Sequence, residues 1–402
     1  MLEAQQEAQQ GALSGVTVLD LTRVLAGPFC TMMFADMGAD VIKIEQPDTG
    51  DDSRRFAPFK DGESSYYMNL NRNKRGITLD LKKGKALFLD MVKKADIVVE
   101  NYRPGTMEKL GLGYEELKKI NPRIIYACIS GFGHYGPYRL RPGYDIVGQA
   151  MGGLMSTTGW PGGDPTRSGT AMSDVLAGLS CGVATLAALQ YREKTGQGQK
   201  VDVALVDSVV ASLEIITQIY LTEGRIPQRI GNRYESVYPY DTFKAKDGDF
   251  VIAAGNDKLF ASVCTVMGQP ALAEREEFKT NPLRVQNHAL LKPVVEAWST
   301  QHPVDYLVDT LLEAGVPACP INTIDKLVDD PHIAGAREMF VEVEHPKAGK
   351  LKITGSHLKF SDTKTSIRTP APLLGQHSEE VYKELLGLSA EQVAQYKQDG
   401  VI

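Results

Sequence analysis

Short β-type segments alternate with helical segments over the first half of the chain, and this alternation constrains the fold more than any other feature. The segments enriched in β-branched and apolar residues predict strands at 16–21, 40–45, 77–81, 96–99, 123–130 and 200–206. Helices are predicted between them at 26–37, 84–94, 106–110, 114–120 and 175–191. Such spacing implies right-handed βαβ units and a mainly parallel sheet covered on both faces. We expect an α/β protein with a Rossmann-like large domain.

The second half of the chain predicts a small α+β domain. A long helix over 207–223 is followed by a linker, and a hairpin is expected from 240–243 and 250–254. Helices follow from about residues 258, 283 and 305, and short strands are expected at 350–353 and 358–360. Terminal helices are predicted at 378–386 and 390–398. The expected domains are 1–206 (large domain, first part), 207–239 (helix and linker), 240–321 (small domain), 322–345 (linker) and 346–402 (C-terminal segment).

Composition is that of an ordinary globular protein. The 402 residues are 43% hydrophobic and 23% charged, enough for two domains with cores. A net charge of −6 argues against a nucleic-acid partner. No run of eighteen apolar residues predicts a membrane span, and residues 3–10 are polar and acidic, unlike a targeting leader. We therefore expect a cytoplasmic protein.

Cysteine and histidine usage predicts neither disulfides nor a metal. The five cysteines are odd in number and scattered, and no CxxC pair occurs. The seven histidines form no HxH or HxxxH arrangement. The thiols therefore indicate a reducing compartment, and a metal site is not expected.

Positive charge is concentrated locally despite the negative total. Lysines and arginines cluster at Arg72, Lys74, Arg75, Lys82, Lys83 and Lys85, and again at Arg139 and Arg141. Such runs usually form a solvated face. The other interpretation is a binding site for a small polyanion.

Three loops leave predicted strands at their carboxyl ends, where ligands collect in open parallel sheets. These loops span residues 23–28, 100–105 and 131–137. None contains GxGxxG, so a dinucleotide-dependent dehydrogenase is not favoured.

Asp174 lies in a polar, glycine-containing segment, 167–178, that leads into the apolar helix. Unpaired N–H groups and the helix dipole at this position favour the ionised carboxylate, so Asp174 should stay charged and able to attack an electrophile. The alternative is an ordinary N-cap.

The pattern formed by Arg167, Gly169, Asp174 and Gly178 resembles the class III CoA-transferase family, also called the formyl-CoA transferase or CaiB/BaiF family. Residues 192–203, 19–28 and 372–377 extend the resemblance over nearly the whole chain. It implies that Asp174 carries the acyl group, first as a mixed anhydride and then as an aspartyl-CoA thioester. It also implies that 346–402 returns to the large domain and that two chains form an interlocked homodimer.

The resemblance implies coenzyme A or acyl-CoA as a substrate, with no tightly bound cofactor. The matching CoA-contacting positions are Val24, Leu25, Leu79, Lys82, Asn101, Tyr102, Thr106, Lys109 and Tyr144. Charge and proximity add Arg75 and Arg103, because phosphates favour basic side chains. Core packing or solvation is the competing interpretation for each residue alone.

Departures from formyl-CoA transferase indicate other substrates. The chain lacks that enzyme's glycine run and has Leu25 where that enzyme has glutamine. Residues 50–55, 100–111 and 255–260 are similar to members that use acetyl-CoA with oxalate or succinyl-CoA with glutarate. For the acceptor's second carboxylate, charge alone suggests Arg54, Arg55 and Arg233.

Two other functions stay open from the sequence. An acyl-CoA racemase of the same family would need a His and Asp pair, and His134 does not obviously fit that pattern. A non-catalytic CoA-binding protein would retain the fold, although the intact Asp174 with Gly169 and Gly178 speaks against it.

Overall fold

The computed structural model describes residues 11–402, which form two compact units. The large unit comprises 11–154, 167–223 and 331–402, and the small unit comprises 155–166 and 224–330. Residues 207–223 and 331–345, which we expected in connecting segments, therefore belong to the large unit. Residues 3–10 lie outside the described residues, so the cytoplasmic location stays a prediction.

The strands and helices follow the expected alternation. The strands are β1 (Thr17–Asp20), β2 (Asp40–Glu45), β3 (Phe59–Lys60), β4 (Glu63–Ser64), β5 (Lys74–Thr78), β6 (Ile97–Glu100), β7 (Ile125–Ser130), β8 (Lys200–Ala204), β9 (Tyr240–Lys244), β10 (Asp249–Ala253), β11 (Ala318–Pro320), β12 (Phe340–His345) and β13 (Gly349–Thr354). The helices are α1 (Ala26–Asp36), α2 (Ser65–Leu70), α3 (Lys85–Val92), α4 (Thr106–Leu110), α5 (Tyr114–Ile120), α6 (Asp145–Met151), α7 (Leu154–Thr157), α8 (Met172–Thr195), α9 (Leu205–Ser212), α10 (Glu214–Glu223), α11 (Asp257–Val266), α12 (Asn281–Gln286), α13 (His288–Ser299), α14 (Val304–Glu313), α15 (Ile324–Asp329), α16 (Ser378–Leu386) and α17 (Ala390–Gln398).

The large unit is built on a six-stranded sheet in the order β5-β2-β1-β6-β7-β8. Every neighbouring pair is parallel, which confirms the expected Rossmann-like core. Taken in chain order, these six strands have the spatial order 3-2-1-4-5-6 of doubly wound dinucleotide folds. The strand order reverses between β1 and β6, and this switch point lies at the centre of the sheet.

Each face of the sheet has its own hydrophobic core, because both faces are covered by helices. Alternate strand residues such as Leu19 and Tyr126 pack on one face with α3 and α16. Val18 and Ala127 point to the other face and pack with α1 and α8. The near-continuous burial of β6 and β7 follows from this two-sided covering.

The C-terminal segment packs onto the large unit. The hydroxyl of Tyr382 donates to the carbonyl of Thr78, and the N–H of Gly76 donates to Nδ1 of His377. The N–H of Asp80 donates to the carbonyl of Val401. Residues 358–360 are not a strand, whereas β12, expected as linker, pairs with β13.

The small unit contains the antiparallel sheet β11-β10-β9 and the helices α11 to α15. Its core includes Phe243, Phe250 and Phe260, so it has an apolar interior of its own. The predicted α+β character is confirmed.

Two helical regions differ from expectation. The predicted helix over 207–223 is divided into α9 and α10, which are bent by 74°. α8 is long and apolar enough to satisfy the length and composition of a membrane span. It packs against α1, α9, β7 and β8, as a core helix of an α/β unit does.

Candidate active site

A cavity of about 320 Å³ opens at the switch point of the sheet. The residues after β1, from Arg23 to Ala26, and those after β6, from Asn101 to Thr106, form two of its walls. Residues 129–131 at the end of β7, residues 141–144, Asp174 and Leu205 complete the lining. The cavity therefore lies where ligands bind in open parallel sheets.

Most of the residues proposed from the sequence converge on this cavity. The predicted residues that line it are Val24, Leu25, Asn101, Tyr102, Arg103, Thr106, Tyr144 and Asp174. They come from three loops and from the first turns of α4 and α8, and the parallel arrangement of β1, β6 and β7 places these loops at the same sheet edge.

Four predicted CoA-binding residues do not line the cavity. Arg75 forms ion pairs with Asp40, Glu380 and Glu384. Because Glu380 and Glu384 lie on α16, these ion pairs connect α16 to the edge strand β5. Leu79 is 1% exposed and belongs to the core, as the packing interpretation expected. Lys82 and Lys109 are exposed outside the lining.

The first residues of the basic run, Arg72 and Lys74, are not available to a ligand, whereas Lys82 and Lys83 are exposed. Arg72 is buried against Asp36 at 2.7 Å, and Lys74 is buried against Asp20 at 3.0 Å. The arginines that line the cavity are instead Arg23, Arg103 and Arg141. The sequence does not single out Arg23 as a site residue, and it marks Arg141 only as part of a basic pair.

The loop after β1 has a strained backbone. Val24 has a φ of +66°, in the left-handed region, which is unusual for a β-branched residue. Its N–H donates to Oδ1 of Asp51 at 3.1 Å. The side chain of Asn101 accepts from the N–H of Arg23 and donates to its carbonyl. These bonds hold two cavity walls together and maintain the strained conformation.

A buried ion pair stabilises the loop that follows β1. Lys43 and Asp51 form an ion pair at 2.8 Å with both side chains buried, and Lys43 also donates to the carbonyl of Thr22. Burial alone would raise the pKa of Asp51, but the charge of Lys43 lowers it well below its usual range. Asp51 therefore stays charged and keeps Val24 in place.

Asp174 lies in the first turn of α8, as expected, and α6 holds that turn in position. Asp145 accepts hydrogen bonds from the backbone N–H and the hydroxyl of Ser173, both at 2.9 Å. Gln149 donates to Asp145 and accepts from the N–H of Ser168. Because α6 was not predicted, the role of Asp145 was missed, although it follows Tyr144 directly in the sequence.

The ionisation of Asp174 differs from expectation. Burial and the negative charge of Asp145 raise the pKa of Asp174 to about 7. The position at a helix N-terminus does not keep this carboxylate fully ionised at neutral pH, because desolvation outweighs the dipole. Near neutral pH Asp174 is therefore protonated in part of the molecules and ionised in the rest.

Because Gly178 has no side chain, α8 approaches α1 closely beside the cavity. A Cβ at Gly178 would lie 2.7 Å from the carbonyl oxygen of Ala26, closer than real Cβ contacts. The glycine thus allows the start of α1, which lines the cavity, to lie close to the helix that carries Asp174.

Arg54 and Arg55 are not free cations. Arg54 forms two hydrogen bonds with Glu45, both at 2.7 Å, and also donates to Tyr67. Arg55 pairs with Asp52 at 2.8 Å. Neither residue lines the cavity that contains Asp174.

The comparison with known families identifies the chain. The model of "CoA-transferase family III" matches residues 13–378. The chain belongs to CoA-transferase family III. The resemblance expected from the Asp174 segment is confirmed.

Relatives of this family III enzyme align along nearly its full length. Human succinyl-CoA:glutarate CoA-transferase is 41% identical over 395 residues, covering 97% of this chain and 90% of the relative. Acetyl-CoA:oxalate CoA-transferase from Acetobacter aceti is 41% identical over 397 residues, covering 97% of this chain and 100% of the relative. The crystal structure of a CaiB/BaiF family protein from Brucella suis has a TM-score of 0.83 and 39% identity, covering 94% of this chain and 100% of that chain. The family III enzyme therefore uses CoA thioesters as substrates.

Proposed function

We propose that the enzyme transfers CoA from succinyl-CoA or acetyl-CoA to a short dicarboxylate such as glutarate or oxalate, with Asp174 as the nucleophile. The observation that carries the proposal is the position of Asp174 in the cavity at the switch point, facing loops with three arginines. The relatives whose names specify glutarate and oxalate as acceptors support the substrate class.

The chemistry needs one carboxylate of the protein and a relatively dry site, and the other nucleophiles come from the substrates. A carboxylate oxygen of Asp174 attacks the thioester carbonyl, the C–S bond breaks, and CoA leaves as the thiolate with a mixed anhydride formed. The thiolate then attacks the aspartyl carbonyl, which releases the donor acid and leaves the aspartyl-CoA thioester. The acceptor carboxylate attacks this thioester to form a second anhydride, and CoA thiolate attacks the acceptor's acyl carbon to regenerate Asp174.

Each tetrahedral intermediate carries an oxyanion that needs hydrogen-bond donors. The first turn of α1 lines the cavity at Ala26, and α1 has no side-chain cap. The N–H groups of Ala26 and Gly27 have no acceptor within the helix, as in any first turn. We assign the oxyanion contact to this turn.

The CoA moiety would lie along the walls formed by the loops after β1 and β6. Arg103 and Arg141 supply positive charge for its phosphates, and Tyr102 and Tyr144 supply aromatic surface. Arg23 also lines the cavity, but it already pairs with Asp52 at 3.0 Å. Neither His134 nor any other histidine of residues 11–402 lines the cavity, so the histidine of a racemase pair is not found beside Asp174.

Trapping the covalent enzyme tests the nucleophile. Incubation with succinyl-CoA or acetyl-CoA followed by hydroxylamine should convert Asp174 alone to a hydroxamate, detected by peptide mass spectrometry. The Asp174→Asn variant should bind CoA with similar affinity but show neither modification nor turnover. An unmodified Asp174 in folded protein would support a CoA-binding protein instead.

A substrate panel tests the acceptor. Oxalate, succinate, glutarate, mesaconate and itaconate should be compared with acetyl-CoA and succinyl-CoA as donors. We expect a higher kcat/KM for at least one short dicarboxylate than for the monocarboxylates acetate and butyrate. Equal values for mono- and dicarboxylates would contradict the proposed substrate class.

We further propose the interlocked homodimer. Apolar side chains are exposed on two helices of the large unit, with Val183 on α8 70% exposed and Leu221 on α10 72% exposed. We expect the partner chain to cover these two side chains in the homodimer. Light scattering should give twice the chain mass, and a monomer would contradict the proposal.

A further inference from the structure

A second group of reactive side chains lies on one face of the sheet, beside the cavity but outside its lining. Glu100 ends β6, and its register partner in β7 is Cys128. His134 follows β7 in the loop that covers the same face. One ligand atom from each residue, a carboxylate oxygen, Sγ and a ring nitrogen, lies within 4.8 Å of the other two.

His134 has a buried ring nitrogen without a hydrogen bond. Its side chain is 6% exposed, and Nε2 has no hydrogen-bond partner among residues 11–402. Nε2 lies 3.7 Å from Oε1 of Glu100, which is too long for a hydrogen bond. Two ligands that each lie about 2.0 Å from one tetrahedral ion are separated by about 3.3 Å or slightly more. The observed spacing is close to that of two ligands of a shared ion.

We propose that Glu100, Cys128 and His134 form a binding site for a divalent transition metal of the zinc type. Carboxylate, thiolate and imidazole are the ligands that zinc uses in proteins. Oδ1 of Asp202 lies 3.9 Å from Sγ of Cys128, close enough to become the fourth ligand after a small movement. The site is independent of Asp174 and goes beyond the proposed function.

Hydrogen bonds from neighbouring groups already orient two of the ligands. The hydroxyl of Tyr126 donates to Oε1 of Glu100 at 3.0 Å, and the N–H of Tyr102 donates to Oε2 at 2.7 Å. The backbone N–H of His134 donates to Asp202. Such outer contacts fix metal ligands in known sites. Nδ1 of His134 lies 3.1 Å from Nζ of Lys200, which can only donate, so Lys200 must move aside for Nδ1 to carry the ring proton while Nε2 binds the ion.

The metal would join two walls of the cavity. Glu100 directly precedes Asn101 and Tyr102, and His134 belongs to the segment between Gly131 and Arg141. An ion held by both would fix the two loops relative to each other. We therefore expect metal binding to raise the thermal stability of the full chain.

Cobalt substitution tests the site with a spectroscopic readout that does not require activity. The chelator-treated protein carrying Cys319→Ser, which removes an exposed thiol, should be titrated with Co²⁺. We expect one equivalent to give tetrahedral d–d bands and a thiolate-to-cobalt charge-transfer band. Cys128→Ser should abolish the charge-transfer band, and His134→Gln should weaken binding at least tenfold.

The matched control is Cys181→Ser, because Cys181 is equally buried but packs on the opposite face. It should leave the cobalt spectrum unchanged. X-ray absorption of the zinc-loaded wild-type chain avoids any folding defect of the variants and should report one sulfur ligand. No charge-transfer band in the parent, an unchanged band in Cys128→Ser, or a zinc shell without sulfur would each overturn the proposal.

Discussion

At the scale of the residue, the property that decides reactivity is the ionisation of Asp174. Its pKa is raised to about 7 by burial and by the charge of Asp145, which also holds the preceding Ser173 by hydrogen bonds. The same neighbour thus positions the nucleophile and limits its ionised fraction at neutral pH. Two predictions separate these effects.

The first prediction concerns the pH dependence of turnover. Asp145→Asn keeps an oxygen that can accept from Ser173 but removes the charge that raises the pKa of Asp174. The acidic limb of the kcat/KM profile, expected near pH 7, should move to lower pH by roughly 0.5 to 1 unit. Asp90→Asn, which changes an exposed carboxylate of α3, is the control and should leave the limb in place. An unmoved limb in Asp145→Asn would show that burial alone sets the pKa.

The second prediction concerns stability. Because the pKa of Asp174 is raised on folding, the folded protein holds the proton more tightly, and stability falls as pH rises from about 4 through 7. Asp174→Asn removes this penalty, so the inactive variant should be more stable than the parent at pH 8 by roughly 1–3 kcal/mol. The difference should vanish near pH 4. Urea denaturation at the two pH values measures it, and equal stability at pH 8 would contradict the raised pKa.

At the scale of the element, the site depends on how closely α8 approaches α1. α8 carries Asp174, and α1 begins at the cavity with Ala26. The two helices meet at Gly178, where no side chain separates them. The distance between nucleophile and cavity wall is therefore set by helix packing.

Two glycine-to-alanine changes in α8 should differ in effect. In Gly178→Ala the new methyl would meet the backbone carbonyl of Ala26 at 2.7 Å, so α1 must shift. We expect a loss of roughly 1–3 kcal/mol in stability and at least a tenfold loss in kcat/KM. In Gly182→Ala the methyl would meet only the flexible end of Met33 at 3.0 Å. Thermal denaturation and steady-state kinetics should show Gly182→Ala close to the parent, and equal losses would refute the packing argument.

At the scale of the whole molecule, the C-terminal segment completes the large unit. Tyr382 of α16 is fully buried in the core that covers one sheet face, together with Phe88 and Met91 of α3. The N–H groups of Leu13 and Asp80 bond to Met37 and Val401, so segments far apart in sequence close the same unit. The large unit is discontinuous in sequence, interrupted by residues 155–166 and 224–330 of the small unit.

Removing the α16 anchor should destabilise the large unit. Tyr382→Ala would leave a cavity in the core and lose the hydrogen bond to Thr78, at a cost of about 3–5 kcal/mol. Lys383→Ala, at the next and exposed position, should cost less than about 0.5 kcal/mol. Chemical denaturation followed by circular dichroism compares the two variants. Similar midpoints would mean that the segment contributes little to the fold.

Much of the fold could be predicted from the sequence, because hydrophobic periodicity and capping residues are properties of short stretches of the chain. β2, α16 and α17 have the predicted bounds, since β-branched runs and capping residues mark their ends. β5 was placed three residues late because its first residues, Lys74 and Arg75, are charged. The break at Leu213 was missed, because α9 and α10 together have one continuous apolar pattern.

The sequence by itself determined the parallel sheet, the loops at its carboxyl edge and the position of Asp174 at the start of an apolar helix. Only the tertiary structure decided which charged residues are available to a ligand. The sequence suggests that Lys74 and Arg75 are surface cations. In the folded chain Lys74 forms an ion pair with Asp20, and Arg75 forms ion pairs with Asp40, Glu380 and Glu384. The tertiary structure also brought Glu100, Cys128 and His134 to one point and Asp145 to Ser173. The physical reason is that periodicity and capping act between near neighbours in the chain, whereas charge partners and site geometry depend on residues that meet only when the chain has folded.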